Sequence, residues 1–191
     1  MHKLLLPVVE QRLLESVKQP QGIFDLGCGN GSAAAWFQKR GWVVSGGDPS
    51  ESGIAQAKKA MPQARLEVGS AYDDLRSRFG QFSAVYSLEV IEHVYAPRDF
   101  MATVRDLLEP GGAFVLSTPY HGYWKNLALA LTGKLDSHFT ALWDHGHIKF
   151  WSVKTITELL AEFGFKVTHI DRVGRIPALA MSMVITAVKK D

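Results

Sequence analysis

Gly22-Ile23-Phe24-Asp25-Leu26-Gly27-Cys28-Gly29-Asn30-Gly31, followed by Ser32-Ala33-Ala34-Ala35-Trp36-Phe37, is the stretch whose reading decides the fold. A short apolar run, Gly22–Leu26, meets a glycine-rich turn and then a helix-prone segment, Ser32–Arg40. Glycine permits a tight turn and leaves no Cβ in the path of an approaching ligand. A buried strand, a turn and a helix in that order open a βα unit.

The same alternation continues downstream. Trp42–Ser45 reads as a second strand, ending in Gly46-Gly47-Asp48-Pro49. Ser50 can cap a helix running to about Met61, with Pro62 marking its end. Arg65–Val68 and Phe82–Ser87 are further strands. Phe100, Met101, Val104, Leu107 and Leu108 form a helical face stopped by Pro110-Gly111-Gly112, and Ala113–Ser117 is a fifth strand. Val153, Ile156, Leu159, Leu160 and Phe163 line one face of a late helix. Phe165–Val173 and Leu179–Val188 then form a hairpin across Gly174 and Pro177, adding an antiparallel edge. The expected fold is α/β, a Rossmann-like doubly wound sheet, mostly parallel, with helices on both faces. Upstream, Leu6, Val9, Leu13, Leu14 and Val17 recur at helical spacing and predict a packing helix over 3–18, with membrane-surface binding as the alternative.

With 191 residues the chain suits one domain, 1–191. Hydrophobic residues make up 47% and charged residues 21%, which excludes disorder. A net charge of +2 without a basic run gives little support for nucleic-acid binding. Cys28 is the single cysteine, so an internal disulfide and a Cys-rich zinc site are excluded. The apolar start is interrupted by Glu10 and Arg12, and no window reaches membrane-span length, so a cytoplasmic location is expected.

Asp48 follows Gly31 by 17 residues, at the end of the next strand. A carboxylate there can accept hydrogen bonds from both ribose hydroxyls. Asp25, two residues before the first glycine of the turn, would repel a pyrophosphate and suit a cationic amino group. Ribose plus positive charge describes S-adenosylmethionine and disfavours a nicotinamide cofactor.

The chain resembles the class I S-adenosylmethionine-dependent methyltransferases over nearly its whole length. Asp25–Gly31 is similar to the first motif of that family, Gly46–Ser50 to its second, and Ser87–Val94 to the start of its active-site region. Leu107–Pro119 is similar to the segment of the fifth strand, and the final hairpin to the family's reversed seventh strand. The resemblance implies cofactor contacts from Asp25, Gly27, Cys28, Gly29, Asp48, Pro49, Ser70, Ala71 and Ser87, with Pro49 and Ile54 flanking adenine. Ser70 stands where the family often has an aspartate for the adenine amino group. Cys28 is needed there only as a small residue.

Glu89-Val90-Ile91-Glu92-His93 follows the fourth strand, at the edge where such sheets bind ligands. As a helix it would place residues 89, 92 and 93 on one face. It resembles the Glu-x-x-Glu-His of ubiquinone-biosynthesis O-methyltransferases, the nearest likeness, which also carry a later histidine before a phenylalanine and a helix. The small-RNA 3′-terminal 2′-O-methyltransferases hold magnesium with a comparable set. Carried over, the metal ligands are Glu89, Glu92, His93 and His147, with His145 as an alternative, and a divalent cation such as Mg would lower the pKa of the acceptor hydroxyl. Without metal, His93 or His147 would act as general base, with Glu89 a further catalytic candidate.

Residues 120–147 break the alternation. The window 120–151 holds Tyr120, Tyr123, Trp124, Phe139, Trp143, Phe150 and Trp151 together with His121, His138, His145 and His147. So long and aromatic a connection is read as a lid or substrate segment. Its Lys125–Leu135 stretch is apolar and helical; an exposed apolar face there would point to a lipophilic or membrane-associated acceptor. The expected activity is O-methylation of a small aromatic or lipophilic hydroxyl acceptor. The alternatives are an RNA 3′-terminal 2′-O-methyltransferase and a non-catalytic cofactor-binding subunit.

Overall fold

The computed structural model describes residues 2–17 and 22–190. Seven strands form one sheet: β1 (Gly22–Leu26), β2 (Val43–Asp48), β3 (Arg65–Val68), β4 (Phe82–Leu88), β5 (Leu108–Pro119), β6 (Phe165–Val173) and β7 (Ser182–Lys189). Their order is β3-β2-β1-β4-β5-β7-β6. The first five pair in parallel, while β7 is antiparallel to both β5 and β6. The antiparallel strand therefore lies inside the sheet, and β6 takes the edge expected for the hairpin. Strand order reverses between β1 and β4, the position at which open α/β sheets bind ligands.

Side chains alternate across these strands and divide the core in two. Ile23, Tyr86, Val115 and Val184 pack on α1 (His2–Ser16), α2 (Ser32–Gln38) and α3 (Glu51–Ala60). Phe24, Val85, Phe114 and Ile185 pack on α4 (Leu75–Phe79), α5 (Pro97–Leu107) and α8 (Val153–Glu162). The period-2 pleat is what sends neighbouring residues to opposite layers. In α1, Leu6, Val9 and Leu13 are buried as expected, but Leu14 is 49% exposed. Lys18, the last residue of the expected helix, lies outside the described residues. Ser50 caps α3 by accepting from the Gly53 amide, and Ser152 with Thr155 forms a capping box on α8.

Two local features differ from the sequence reading. Residues 89–93 are not helical: Glu89 adopts a left-handed φ of 55°, and a turn follows, closed by the His93 amide on the Val90 carbonyl at 2.9 Å. The five-residue α4 was not anticipated, because Leu75-Arg-Ser-Arg-Phe is too short to display a helical period. The insertion folds as α6 (Tyr123–Leu131) and α7 (Leu135–Phe139), and neither buries a residue fully. No helix among the described residues is long and apolar enough to cross a membrane.

Candidate active site

The turn after β1 forms the first wall. Gly27, Gly29 and Gly31 all have positive φ. A Cβ on Gly27 would also stand 2.5 Å from Val90 Cγ2, and one on Gly31 2.8 Å from Ala57 Cβ, so backbone sign and packing both require glycine. Asp48, at the end of β2, braces this turn. Its Oδ2 accepts from the Gly29 amide at 2.8 Å and its Oδ1 from the Ser50 amide at 2.8 Å. Each oxygen keeps a second lone pair that ribose hydroxyls could use.

Two small cavities flank this wall. One, about 160 Å³, is lined by Asp25, Gly27, Cys28, Gly29 and Asn30 among others. The other, about 170 Å³, is lined by Pro49, Ser70, Ala71, Tyr72 and His93 with Gly27, which both share. Of the expected cofactor residues, Asp48, Ser87 and Ile54 line neither; Asp48 stands behind the turn that it braces. Ser87 donates from its hydroxyl to the Leu26 carbonyl at 2.6 Å, strapping β4 to β1, and Ile54 is buried in the core. Asp25 is 2% exposed and accepts from the Tyr86 hydroxyl at 2.8 Å. Burial pushes its carboxyl up to about 7 against the pull of that hydroxyl, with Asp48 pushing the same way. Burial likewise pushes the Cys28 thiol up, which makes it a poor nucleophile.

A larger cavity, about 550 Å³, lies between the sheet edge and the insertion. His93 lines it and also lines the Pro49–Ser70 cavity, so one imidazole borders both spaces. Its Nδ1 is 2.9 Å from the His145 carbonyl oxygen and 3.1 Å from that of Gly146. Carbonyls only accept, so Nδ1 carries a proton, and in the neutral ring the lone pair is on Nε2. His145 contributes that carbonyl and is itself exposed, so it is not brought into the ligand cluster.

Glu92, His93 and His147 do converge, with one ligand atom from each within 4.8 Å of the others. Glu92 is 1% exposed; its Oε2 accepts from Thr118 at 3.0 Å and its Oε1 is buried without a partner. Burial, then the neighbouring Glu89, pushes the Glu92 carboxyl up to about 8. His147 Nε2 stands 3.9 Å from Glu92 Oε1, and burial, then His93, lowers its pKa. The pair is thus a neutral acid beside a neutral imidazole at pH 7. An orphaned buried oxygen facing two imidazoles fits a divalent cation, which would draw the proton off Glu92. Glu89 sits apart from that trio in the larger cavity. Its Oε1 accepts from Ser117 at 2.8 Å and from Ser182 at 2.6 Å.

The insertion is clasped to the turn after β4 by backbone. The Glu92 carbonyl accepts from the Ile148 and Lys149 amides at 2.9 and 3.0 Å, and the Trp151 indole donates to the Ile91 carbonyl at 3.3 Å. Sequence reasoning missed Ser117, Thr118, Ser182, Lys125 and His138. Ser117-Thr118, polar at the carboxyl end of a buried apolar strand, was a usable signal; Ser182 carried none. The apolar segment 125–135 is exposed in part: Leu131 is 79% exposed and Leu135 37%, while Leu127, Ala128 and Leu129 are half-buried.

A family model described as "Methyltransferase domain" matches residues 1–170. The chain is 29% identical over 161 residues to a ubiquinone biosynthesis O-methyltransferase from Dinoroseobacter shibae, an alignment covering 81% of this chain and 62% of that protein. It thus spans about three-fifths of the length of that relative. Among solved structures, an S-adenosylmethionine-dependent methyltransferase from Mesorhizobium loti matches with a TM-score of 0.71 and 21% identity, over 96% of each chain. A magnesium protoporphyrin IX methyltransferase from Synechocystis with bound S-adenosylhomocysteine matches with a TM-score of 0.70 and 17% identity, over 97% of this chain and 83% of that one. At those identities the structural likeness is one of fold.

Proposed function

The chain belongs to the methyltransferase-domain family as an S-adenosylmethionine-dependent class I methyltransferase, and from that premise we propose that it methylates a hydroxyl of a small aromatic or lipophilic acceptor. The observation that carries this reading is His93, an imidazole with a lone pair on Nε2, bordering both the cofactor-side cavity and the larger one. Hydroxyl methylation needs a proton removed as the methyl arrives, and this group stands where cofactor and acceptor would meet.

In this reading Asp25, Gly27, Cys28, Gly29, Asp48, Pro49, Ser70 and Ala71 hold S-adenosylmethionine across the two smaller cavities, with Ser87 supporting β1. The acceptor occupies the larger cavity. The His145 and Gly146 carbonyls orient His93 and stabilise it once protonated, as an acceptor behind a catalytic histidine does. Glu89, held by two serine hydroxyls, accepts a hydrogen bond from the acceptor. In the metal-bound alternative, Glu92, His93 and His147, with Glu89 nearby, would hold a divalent cation; His93 Nε2 would then be a ligand in place of the base, and the cation when bound would lower the pKa of the acceptor hydroxyl. The two imidazoles fit a transition metal at least as well as magnesium.

The insertion 120–147 acts as the lid of a single domain, and its aromatic walls exclude water from the reacting pair. Its exposed Trp124, Leu131, Leu142 and Trp143 support a lipophilic acceptor reached at a membrane surface. Incubation with radiolabelled S-adenosylmethionine and catechol tests the reaction. Label recovered in an O-methyl ether supports it; methylation confined to nitrogen or carbon acceptors overturns it.

A further inference from the structure

The chemistry described above uses only part of the lining of the larger cavity. Lys125, in the first turn of α6, and His138 of α7 line it as well. Lys125 is half-buried, and none of the ion pairs among the described residues includes it. The carboxylate facing it is Glu89, beyond salt-bridge distance and already accepting from Ser117 and Ser182.

Beside the ammonium lie polar atoms without partners. His138 Nε2, His121 Nδ1 and Asn126 Oδ1 are all buried and unbonded. His121 is 8% exposed, and its ring centroid is 5.5 Å from that of His138. The helix adds to this, because Gly122 caps α6 with no side-chain hydrogen bond to its first-turn amides. One ammonium, the imidazole of His138 with an unpartnered nitrogen and the first-turn amides of α6 thus border the cavity that His93 and His147 also line.

Acceptor binding would strip most of the remaining water from Lys125. A half-buried ammonium left without a counter-charge is disfavoured, and a ligand that carries the charge removes the penalty. One ammonium near the Glu89 carboxylate balances a singly charged carboxylate better than a doubly charged phosphate. The cavity, about 550 Å³, has room for one substituted ring.

We propose that Lys125 and His138 form a carboxylate subsite at the α6 end of the acceptor cavity. The acceptor is then a hydroxylated aromatic acid, with its carboxylate on Lys125 and its hydroxyl at the His93 end. The inference rests on the O-methylation reading and makes its substrate class specific.

Two probes that differ only in the carboxylate test it: 3,4-dihydroxybenzoate and catechol, titrated calorimetrically into protein saturated with S-adenosylhomocysteine. A charge-assisted hydrogen bond should make the benzoate bind at least about tenfold more tightly. Lys125→Met should bring the ratio of the two affinities to within about twofold, while Lys125→Arg should keep the preference. S-adenosylhomocysteine affinity and melting temperature check that both variants fold. Equal or tighter binding of catechol, a preference that survives Lys125→Met, or binding of neither probe overturns the subsite. Methyl transfer measured in parallel separates the two claims. Lys125-dependent binding of the benzoate without O-methylation sinks the reaction and leaves the subsite standing. O-methylation of catechol with no advantage for the benzoate does the reverse.

Discussion

The Ser182 hydroxyl donates to Glu89 Oε1 across 2.6 Å, joining the first residue of β7 to the left-handed residue that follows β4. Ser117 of β5 donates to the same oxygen at 2.8 Å. A carboxylate on a left-handed backbone is thereby held by β5, the next strand, and by β7, about ninety residues further along the chain.

Replacing Ser182 with alanine should release one side of this clamp. The expected stability loss is about 1 kcal/mol, the usual net worth of one hydrogen bond. The acceptor KM should rise several-fold, while S-adenosylmethionine affinity stays unchanged because Ser182 lies outside that site. Thermal unfolding and steady-state kinetics on the same preparation would show whether the two effects occur together.

Asp48 carries both the Gly29 and the Ser50 amides. Asp48→Ala leaves those donors unpaired and removes the expected ribose acceptor, so S-adenosylmethionine binding should weaken at least about tenfold. Calorimetric titration giving the wild-type affinity would refute the role assigned to this carboxylate.

Asp25 makes stability depend on pH. Its folded carboxyl titrates at about 7, against an ordinary value of 3.8, because burial disfavours the charge. The unfolded chain gives up this proton first. The contribution of Asp25 to stability is therefore fullest below about pH 4, declines as pH rises to about 7, and is level beyond. The decline is on the order of a few kcal/mol. Asp25→Asn should flatten it, and unfolding midpoints from pH 4 to 8 that run parallel for variant and wild type would contradict this. Binding of a cationic amino group beside Asp25 should also release a proton below pH 7, readable as a buffer-dependent binding enthalpy.

In the metal-bound alternative, chelation should abolish most methyl transfer and leave the Asp48 contacts of the cofactor in place. Restoring individual divalent ions to chelated protein would identify the one used. His147→Ala should reduce the apparent affinity for that ion about 10- to 100-fold. Full activity under chelation would return the proton transfer to His93 alone.

The parts of the site that lie on one continuous run of chain were legible. Asp25 through Gly31 form their turn because strand, glycines and helix follow one another directly, and Asp48 ends the adjacent strand. The Glu92, His93 and His147 grouping could also be expected, though the turn that carries Glu92 and His93 could not. A left-handed Glu89 redirects the chain after β4, and residue patterning does not reveal the φ of a single glutamate. α4 escaped because five residues carry too little periodicity.

Local patterning by itself determined the alternating strands and helices, the cofactor turn and the presence of an aromatic insertion. These depend on neighbours within a few residues, where propensity and period act. Tertiary structure alone decided that β7 enters the sheet between β5 and β6 and so brings Ser182 to Glu89. It also decided that the Glu92 carbonyl and the His93 ring hold residues 145–149, placing His147 beside Glu92, and that Lys125 lines the same cavity as His93. Those contacts join segments tens of residues apart, and they form only where buried polar groups find partners that the folded chain brings within reach.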